Sequence, residues 1–598
     1  MIVVRTRAET SRAVAKKSRI LSAEATQMDP PGSSGAGSPE KEHPLLGGGD
    51  IVGGAVDSKG RPARRSCSGG WRSASFIIGV EVAERFAYYG ISANLISYLT
   101  GPLGESTATA AENVNAWSGA ASLLPLVGAF VADSYLGRYR TIIIASLLYI
   151  LGLALLTLSA VLISLGTSEC QNTTKITSCS SSKLHVILFF FSLYMVAIGQ
   201  AGHKPCVQAF GADQFDEQDP VESKAKSSFF NWWYFGLCAG VVVTLVVLVY
   251  IQDNLNWSLG FGIPCIIMVV ALVIFLMGTR TYRFSDRSNG SSPFVRIGRV
   301  YVAAAKNWRK NAPLLPNEEE AVKLPPENYK QFKFLNKALI ITDDSKENQP
   351  NVDDVEEAKS ILRLVPIWLT CLLFAIVFAQ TSTFFTKQGA TMDRTIVSGF
   401  EIPAATLQVF IGLTIVITIP IYDRVFVPFA RSLTNKPSGI TTLQRIGAGM
   451  FFSILAMVTA ALVETKRLEV AQEYGLVDVP NATVPMSVWW LVPQYALFGF
   501  AEALTMVGLQ EFFYDQVPSE LKSLGMSLYL SVIGVGSILS SILISIIEVA
   551  TGTDDWFSNN LNKAHLNYFY WLLAGLVTVG LALFSCCAMG YIYRQRAT

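Results

Sequence analysis

Three ionisable side chains stand close together in a stretch otherwise suited to lipid. In Glu81-Val82-Ala83-Glu84-Arg85-Phe86-Ala87-Tyr88-Tyr89-Gly90-Ile91-Ser92, the two glutamates are three residues apart and Glu81 and Arg85 four. On a helix that spacing puts both carboxylates and the guanidinium on one face, with Tyr88 and Ser92 continuing the stripe. A bare charge at membrane depth costs about 2.5–3.5 kcal/mol or more, so it survives inside a bundle or beside a water-filled path. One reading is a salt-bridged packing site; the stronger one is a relay that carries a proton or ion. Two more charges need partners. Lys204 lies near the end of a later apolar run, before Pro205, and Glu502 lies mid-way along another, after Pro493, Gln494 and Gly499. A neighbouring cation and the cost of burial act in opposite senses on a carboxylate's hold on its proton. That competition suits a group that loads on one side and releases on the other. Lys204 has the alternative of snorkelling to an interface; a mid-span glutamate does not.

The elements that position these residues follow from composition. Of 598 residues, 51% are hydrophobic and 15% charged, against about 25% charged in an ordinary soluble domain. Repeated apolar runs of about 20 residues imply a polytopic, all-α membrane protein. Twelve spans are expected, near 73–100, 112–135, 141–165, 184–207, 226–251, 257–279, 359–388, 402–424, 441–464, 486–513, 522–549 and 566–593. The chain divides into a disordered cytoplasmic tail (1–70), a six-helix half (71–282), a charged, proline-punctuated cytoplasmic linker (283–357) and a second six-helix half with a short C-terminal tail (358–598). Two six-helix halves around a central path are the expected architecture.

Lysine and arginine placement puts the even-numbered connections and both termini in the cytoplasm. The acceptor patterns at Asn172, Asn256 and Asn481 fall in odd connections, in agreement, and that at Asn289 falls in the linker. Glu42-His43-Pro44-Leu45-Leu46 is a loose acidic-dileucine pattern that leans towards the vacuolar membrane over the plasma membrane.

Other chemistries find little support. The net charge of +2 and the absence of a basic, aromatic-interleaved patch give no case for nucleic acid. Four histidines show no metal-ligand spacing, so no metal site and no cofactor beyond a proton gradient is expected. Nine cysteines are scattered, and only Cys170 and Cys179 share a polar loop where one disulfide fits. No nucleophile constellation speaks for an enzyme. Between spans two and three, Gly128 to Asp133 and Gly137-Arg138-Tyr139-Arg140 combine small residues for close helix approach with Asp133 and Arg138, which can pair across a cytoplasmic closure.

These stretches together resemble the proton-dependent oligopeptide transporters of the major facilitator superfamily, in their plant nitrate/peptide branch. The similarity is carried by Glu81 to Gly90, Gly128 to Arg140, His203-Lys204-Pro205-Cys206-Val207 leading into Phe210 to Asp216, Phe230 to Phe235, Leu443-Gln444-Arg445-Ile446-Gly447, and Glu511 to Pro518, and it covers about 71 to 593. The resemblance implies twelve helices, alternating access and inward symport of a small solute with protons, within the lipid bilayer. It implies proton coupling at Glu81, Glu84, Arg85 and Lys204, and a substrate-facing glutamate at Glu502. Lys387 and Asp393, near the outer end of span seven, match a gate by position alone.

Three departures bear on the substrate. The first-helix arginine that meets a peptide carboxylate in peptide carriers corresponds to Ser92. The fifth-helix asparagine corresponds to Cys238, and a histidine credited with nitrate binding corresponds to Phe378. With Tyr88, these outline an expected pocket that is roomier and more apolar, without a bidentate carboxylate clamp. The expected cargo is nitrate, a peptide-like solute or an organic anion. The rival expectations are a membrane receptor or an uncoupled facilitator with vestigial transport.

Overall fold

The computed structural model describes residues 51–171, 183–216, 219–285, 293–309, 332–340, 350–397, 399–434, 440–479, 482–517, 522–552 and 556–591. Twelve long helices organise it: α1 (Gly70–Ser92), α2 (Thr107–Val131), α3 (Arg138–Gln171), α4 (Lys183–Ala212), α5 (Pro220–Val243), α6 (Trp257–Met277), α7 (Val352–Phe378), α8 (Val409–Ile421), α9 (Thr442–Glu473), α10 (Val492–Asp515), α11 (Lys522–Thr551) and α12 (Leu566–Met589). Among the described residues, eleven helices are long and apolar enough to cross a membrane. The twelfth is α1, whose Glu81, Glu84 and Arg85 spoil its apolar composition.

Local chemistry sets the helix ends. The Ser106 side chain accepts the Thr109 N–H at the start of α2. The Asp219 carboxylate accepts the N–H groups of Val221 and Glu222, with Pro220 opening α5. Asn351 with Asp354 and Thr441 with Gln444 form capping boxes at α7 and α9. Two π-turns, Ala132–Leu136 and Tyr422–Phe426, follow α2 and α8, the second helix of each half. Apolar side chains cover both faces of the peripheral helices: α6 buries Met268, Ala271 and Phe275 yet exposes Ile266, Val270 and Val273, as a lipid-facing helix requires.

Within the first half, small residues let backbones meet. A Cβ on Gly128 of α2 would lie 2.0 Å from the Ala201 carbonyl oxygen of α4, and one on Gly199 of α4 would lie 2.7 Å from Tyr149 Cα of α3. The halves meet where Gly119 of α2 crosses Gly534 of α11.

The tail expected to be disordered as far as residue 70 is folded from residue 51. Strands β1 (Ile51–Val56) and β2 (Pro62–Arg64) form an antiparallel hairpin, and β3 (Phe284–Ser285) after α6 adds to its other edge. The physical reason is polar anchoring: Arg283 Nε donates to the Ser68 carbonyl, and Arg65 pairs with Asp216. Gly69 has φ 77°, and a Cβ there would meet the Arg283 guanidinium at 2.1 Å, so this close crossing requires glycine. Residues 1–50, with the dileucine pattern, lie outside the described residues.

The linker is also partly helical. Pro293–Lys306 forms an amphipathic helix held to α7 by Arg296 on Glu357 at 3.0 Å, and α7 begins at Val352, before the boundary expected at 358. The Cys170 side chain and Cys179 lie outside the described residues, as do Asn172, Asn289 and Asn481. Asn256 caps α6, its side chain accepting the Ser258 N–H at 2.7 Å.

Candidate functional site

The i, i+3, i+4 spacing on α1 delivers what helical geometry requires. Glu81, Glu84 and Arg85 are all buried, and the guanidinium bridges the two carboxylates, Nε to Glu81 Oε1 at 3.0 Å and Nη2 to Glu84 Oε2 at 2.7 Å. One cation between two anions leaves a net negative charge when both are ionised. Lys204 of α4 faces the same three groups, and its ammonium brings the sum to zero. A proton added to either carboxylate removes one arm of the bridge and leaves a positive site. The arrangement therefore links protonation to breakage of a buried ion pair.

Further along α1 come the aromatic residues Tyr88 and Tyr89. Tyr88 stacks on Trp117 of α2 at 5.7 Å, and the Trp117 indole N–H donates to the Leu193 carbonyl of α4 at 3.0 Å. Tyr89 lies within electrostatic reach of both Arg85 and Glu502 of α10. Glu502 is half-buried, one turn after Gly499, whose missing side chain lets α10 approach the Ile411 carbonyl of α8. Phe378 closes α7 and lies 6.0 Å from Phe498 of α10. Cys238 is half-buried on α5, on the side away from the Gly236–Gly240 stripe that packs on Val82. Ser92 ends α1, next to Ala93, whose carbonyl accepts from Gln408 of the second half at 2.9 Å. It therefore sits beside a hydrogen bond between the two halves.

The partners of the residues expected as gates are described in part. Arg138 pairs with Asp213 in the α4–α5 connection, within its own half, at 2.5 Å. The side chain of Asp133 lies outside the described residues. Lys387 donates to Thr100 Oγ1 at 3.1 Å, reaching from the second half to the first. Asp393 does not join it. Its carboxylate turns back to the Thr395 backbone N–H at 3.0 Å, an interaction that holds its pKa below the usual carboxylate range.

Sequence reasoning missed three buried polar residues beside the ion group. Tyr149 of α3 faces Glu84, while Gln200 and His203 lie one turn and one residue before Lys204 on α4. Gln200 was findable, being four residues from Lys204. Tyr149 carries no such signal, because only the α3–α4 crossing brings it in.

The far end, opposite the linker, is closed by bonds between the halves. Thr406 donates to the Leu245 carbonyl at 2.8 Å, Asn115 to Ser540 at 3.1 Å and Ser545 to Glu112 at 2.5 Å, and Tyr250 stacks on Phe400.

Comparison with known proteins agrees with this architecture. The family model described as PTR2, POT family, matches residues 139–563. Protein NRT1/PTR FAMILY 5.10 of Arabidopsis thaliana is 65% identical, covering 91% of this chain and 97% of that protein. NRT1/PTR FAMILY 5.14 of the same plant is 60% identical, covering 90% and 96%. Among solved structures, an auto-inhibited POT family peptide transporter is similar with a TM-score of 0.67 at 23% identity, over 88% of this chain and 98% of that one. The POT family transporter PepTSo gives 0.66 at 21% identity, over 87% and 98%. These two likenesses concern the fold. An integral, multi-pass membrane protein and a transporter rather than an enzyme, this chain belongs to the POT family.

Proposed function

We propose that this chain is a proton-coupled symporter that moves a small solute by alternating access, with Glu81 and Glu84 as proton carriers and Arg85 and Lys204 as their counter-charges. The observation that carries the reading is the buried bridge of Arg85 between two carboxylates, which cannot persist intact once either is protonated. Glu502, Tyr88, Ser92, Cys238 and Phe378 are assigned to the solute path. Glu502 and Arg85 both lie within electrostatic reach of Tyr89. The hydrogen-bonded far end corresponds to a carrier closed on the outside, with the linker and both termini cytoplasmic, and Lys387 and Arg138 belong to the closures. The membrane is the plasma or the vacuolar membrane, since in both the far side is the acidic one. Nitrate, a peptide-like solute or an organic anion suits a chain with Ser92 at the carboxylate-clamp position. No cofactor is assigned beyond the proton gradient.

One pH unit contributes about 1.4 kcal/mol per proton and 100 mV about 2.3 kcal/mol. Together they support roughly 500-fold accumulation. The test is uptake into proteoliposomes under an imposed pH gradient, screening nitrate, dipeptides and plant hormones, with Glu84→Gln and a protonophore as controls. Accumulation abolished by both controls is the expected result. Accumulation indifferent to both would make the protein a facilitator, and none from folded protein would favour a receptor.

A further inference from the structure

A group of buried polar atoms lies behind the Glu84 carboxylate, on the side of α3 and α4. Gln200, His203 and Tyr149 are 1%, 0% and 0% exposed. Both amide atoms of Gln200, both ring nitrogens of His203 and the Tyr149 hydroxyl find no hydrogen-bond partner among the described residues, and of the Glu84 carboxylate only Oε2 is engaged, in the ion pair with Arg85. Geometry gathers them. Gly199 brings the α4 backbone against Tyr149 Cα, which sets Gln200 at the helix crossing, and His203 is one turn further along the same face. Tyr149 faces Glu84, and His203 faces Arg85.

Buried polar groups in native proteins are satisfied by protein or by ordered water, and an internal water needs two to four polar partners. Five such atoms beside one carboxylate supply the polar partners that an internal water needs. Their depth is also graded. At 1.5 Å per residue from the linker-side helix ends, His203 lies about 14 Å in, Tyr149 about 17 Å, Gln200 about 18 Å and Glu84 about 21 Å. The line runs from the linker end to the coupling carboxylate.

We propose that Gln200, His203 and Tyr149 form a hydrated site behind Glu84 through which His203 passes the coupling proton between Glu84 and the linker end. This rests on the proton-coupled reading above and deepens it. In the step, the Glu84 carboxyl O–H bond breaks and its proton moves through water to one imidazole nitrogen. The imidazolium releases the proton on its other nitrogen to water on the linker side, and the carboxylate is left to re-form its pair with Arg85. Imidazole suits the task because it accepts at one nitrogen while releasing at the other. The charged group that acts on His203 is Arg85 of α1; Lys204, the next residue on its own helix, interacts with Arg85, Glu84 and Glu81. From α3 comes the titratable Tyr149. Helix α2 carries no charge between Glu112 and its end at Val131, and α5 none between Lys226 and its end at Val243. His203 is a positioning and relay residue; Glu84 remains the carrier.

The test needs no knowledge of the solute. Infrared difference spectroscopy on the full chain in lipid follows the protonated carboxyl band that disappears in Glu84→Gln, and buffer exchange from H2O to D2O times its isotope shift. The expected result is exchange about tenfold slower or more in His203→Phe, with His203→Gln and Tyr149→Phe in between. Equal exchange rates in wild type and in correctly folded His203→Phe or His203→Gln would overturn the relay. The absence of any carboxyl band assignable to Glu84 from roughly pH 5 to 8 would overturn the proton-coupled reading itself, and the two failures are thereby told apart. Hydroxyl-radical footprinting supplies the second measurement: Tyr149 and His203, though fully buried, should be oxidised by radicals formed in neighbouring water. Their protection would exclude the hydrated site.

Discussion

Arg283 Nη1 lies 2.6 Å from Glu222 Oε2, and with its carbonyl and amide held by Gln214 it ties the end of α6 to the start of α5. Arg65 of the N-terminal hairpin joins the same acidic group through Asp216. Burial pushes the Glu222 carboxyl up, but Arg283 and the Asp216 backbone N–H outweigh it and hold its pKa below the usual range. A carboxyl depressed on folding stabilises above its unfolded pKa, and the contribution is lost as pH falls through the folded value. Acidification below about pH 4 should therefore loosen the hairpin. Glu222→Gln should do so at neutral pH, costing about 1–2 kcal/mol because the group is partly solvated. Hydrogen exchange of residues 51–64 would read both effects; unchanged protection would show that the strand pairing alone holds the hairpin.

Arg85→Ala leaves two buried carboxylates facing each other and should destabilise the protein by about 3–5 kcal/mol. Adding Glu84→Gln removes one of those charges and should recover part of the loss. Thermal unfolding in detergent checks the pair of variants. If the double variant is no better than Arg85→Ala, the arginine acts through packing on Tyr88 rather than through charge balance.

Gly128→Ala forces a methyl group to within 2.0 Å of the Ala201 carbonyl oxygen, so α2 and α4 must part. The cost should be about 1–3 kcal/mol, whereas Gly412→Ala, with open space around it, should be nearly neutral. Equal melting temperatures for the two would refute the close crossing.

Lys387→Ala and Thr100→Ala each remove one bond across the far-end closure. A net loss of about 1 kcal/mol per bond shifts the balance of the two states about fivefold towards opening at that end. Asp393→Asn should leave it unchanged, since Asp393 bonds only its own turn in what is described. Thiol accessibility of a single cysteine placed at Thr406 would report the difference.

The sequence by itself determined the membrane class, the count of spans, their division into two halves and the α1 ion group. Each of these depends on spacing within one element, where composition and the 3.6-residue period suffice. The same locality explains the capping boxes at Asn351 and Thr441. What only the tertiary structure decided involves partners distant in the chain. Arg138 chose Asp213 and Lys387 chose Thr100, 75 and 287 residues away. Residues 51–69 became ordered because Arg283, more than 200 residues on, hydrogen-bonds Ser68. Tyr149 joined the ion group because Gly199 lets α4 lie directly on α3. A buried polar group takes the partner that satisfies it in three dimensions, and local periodicity carries no record of that choice.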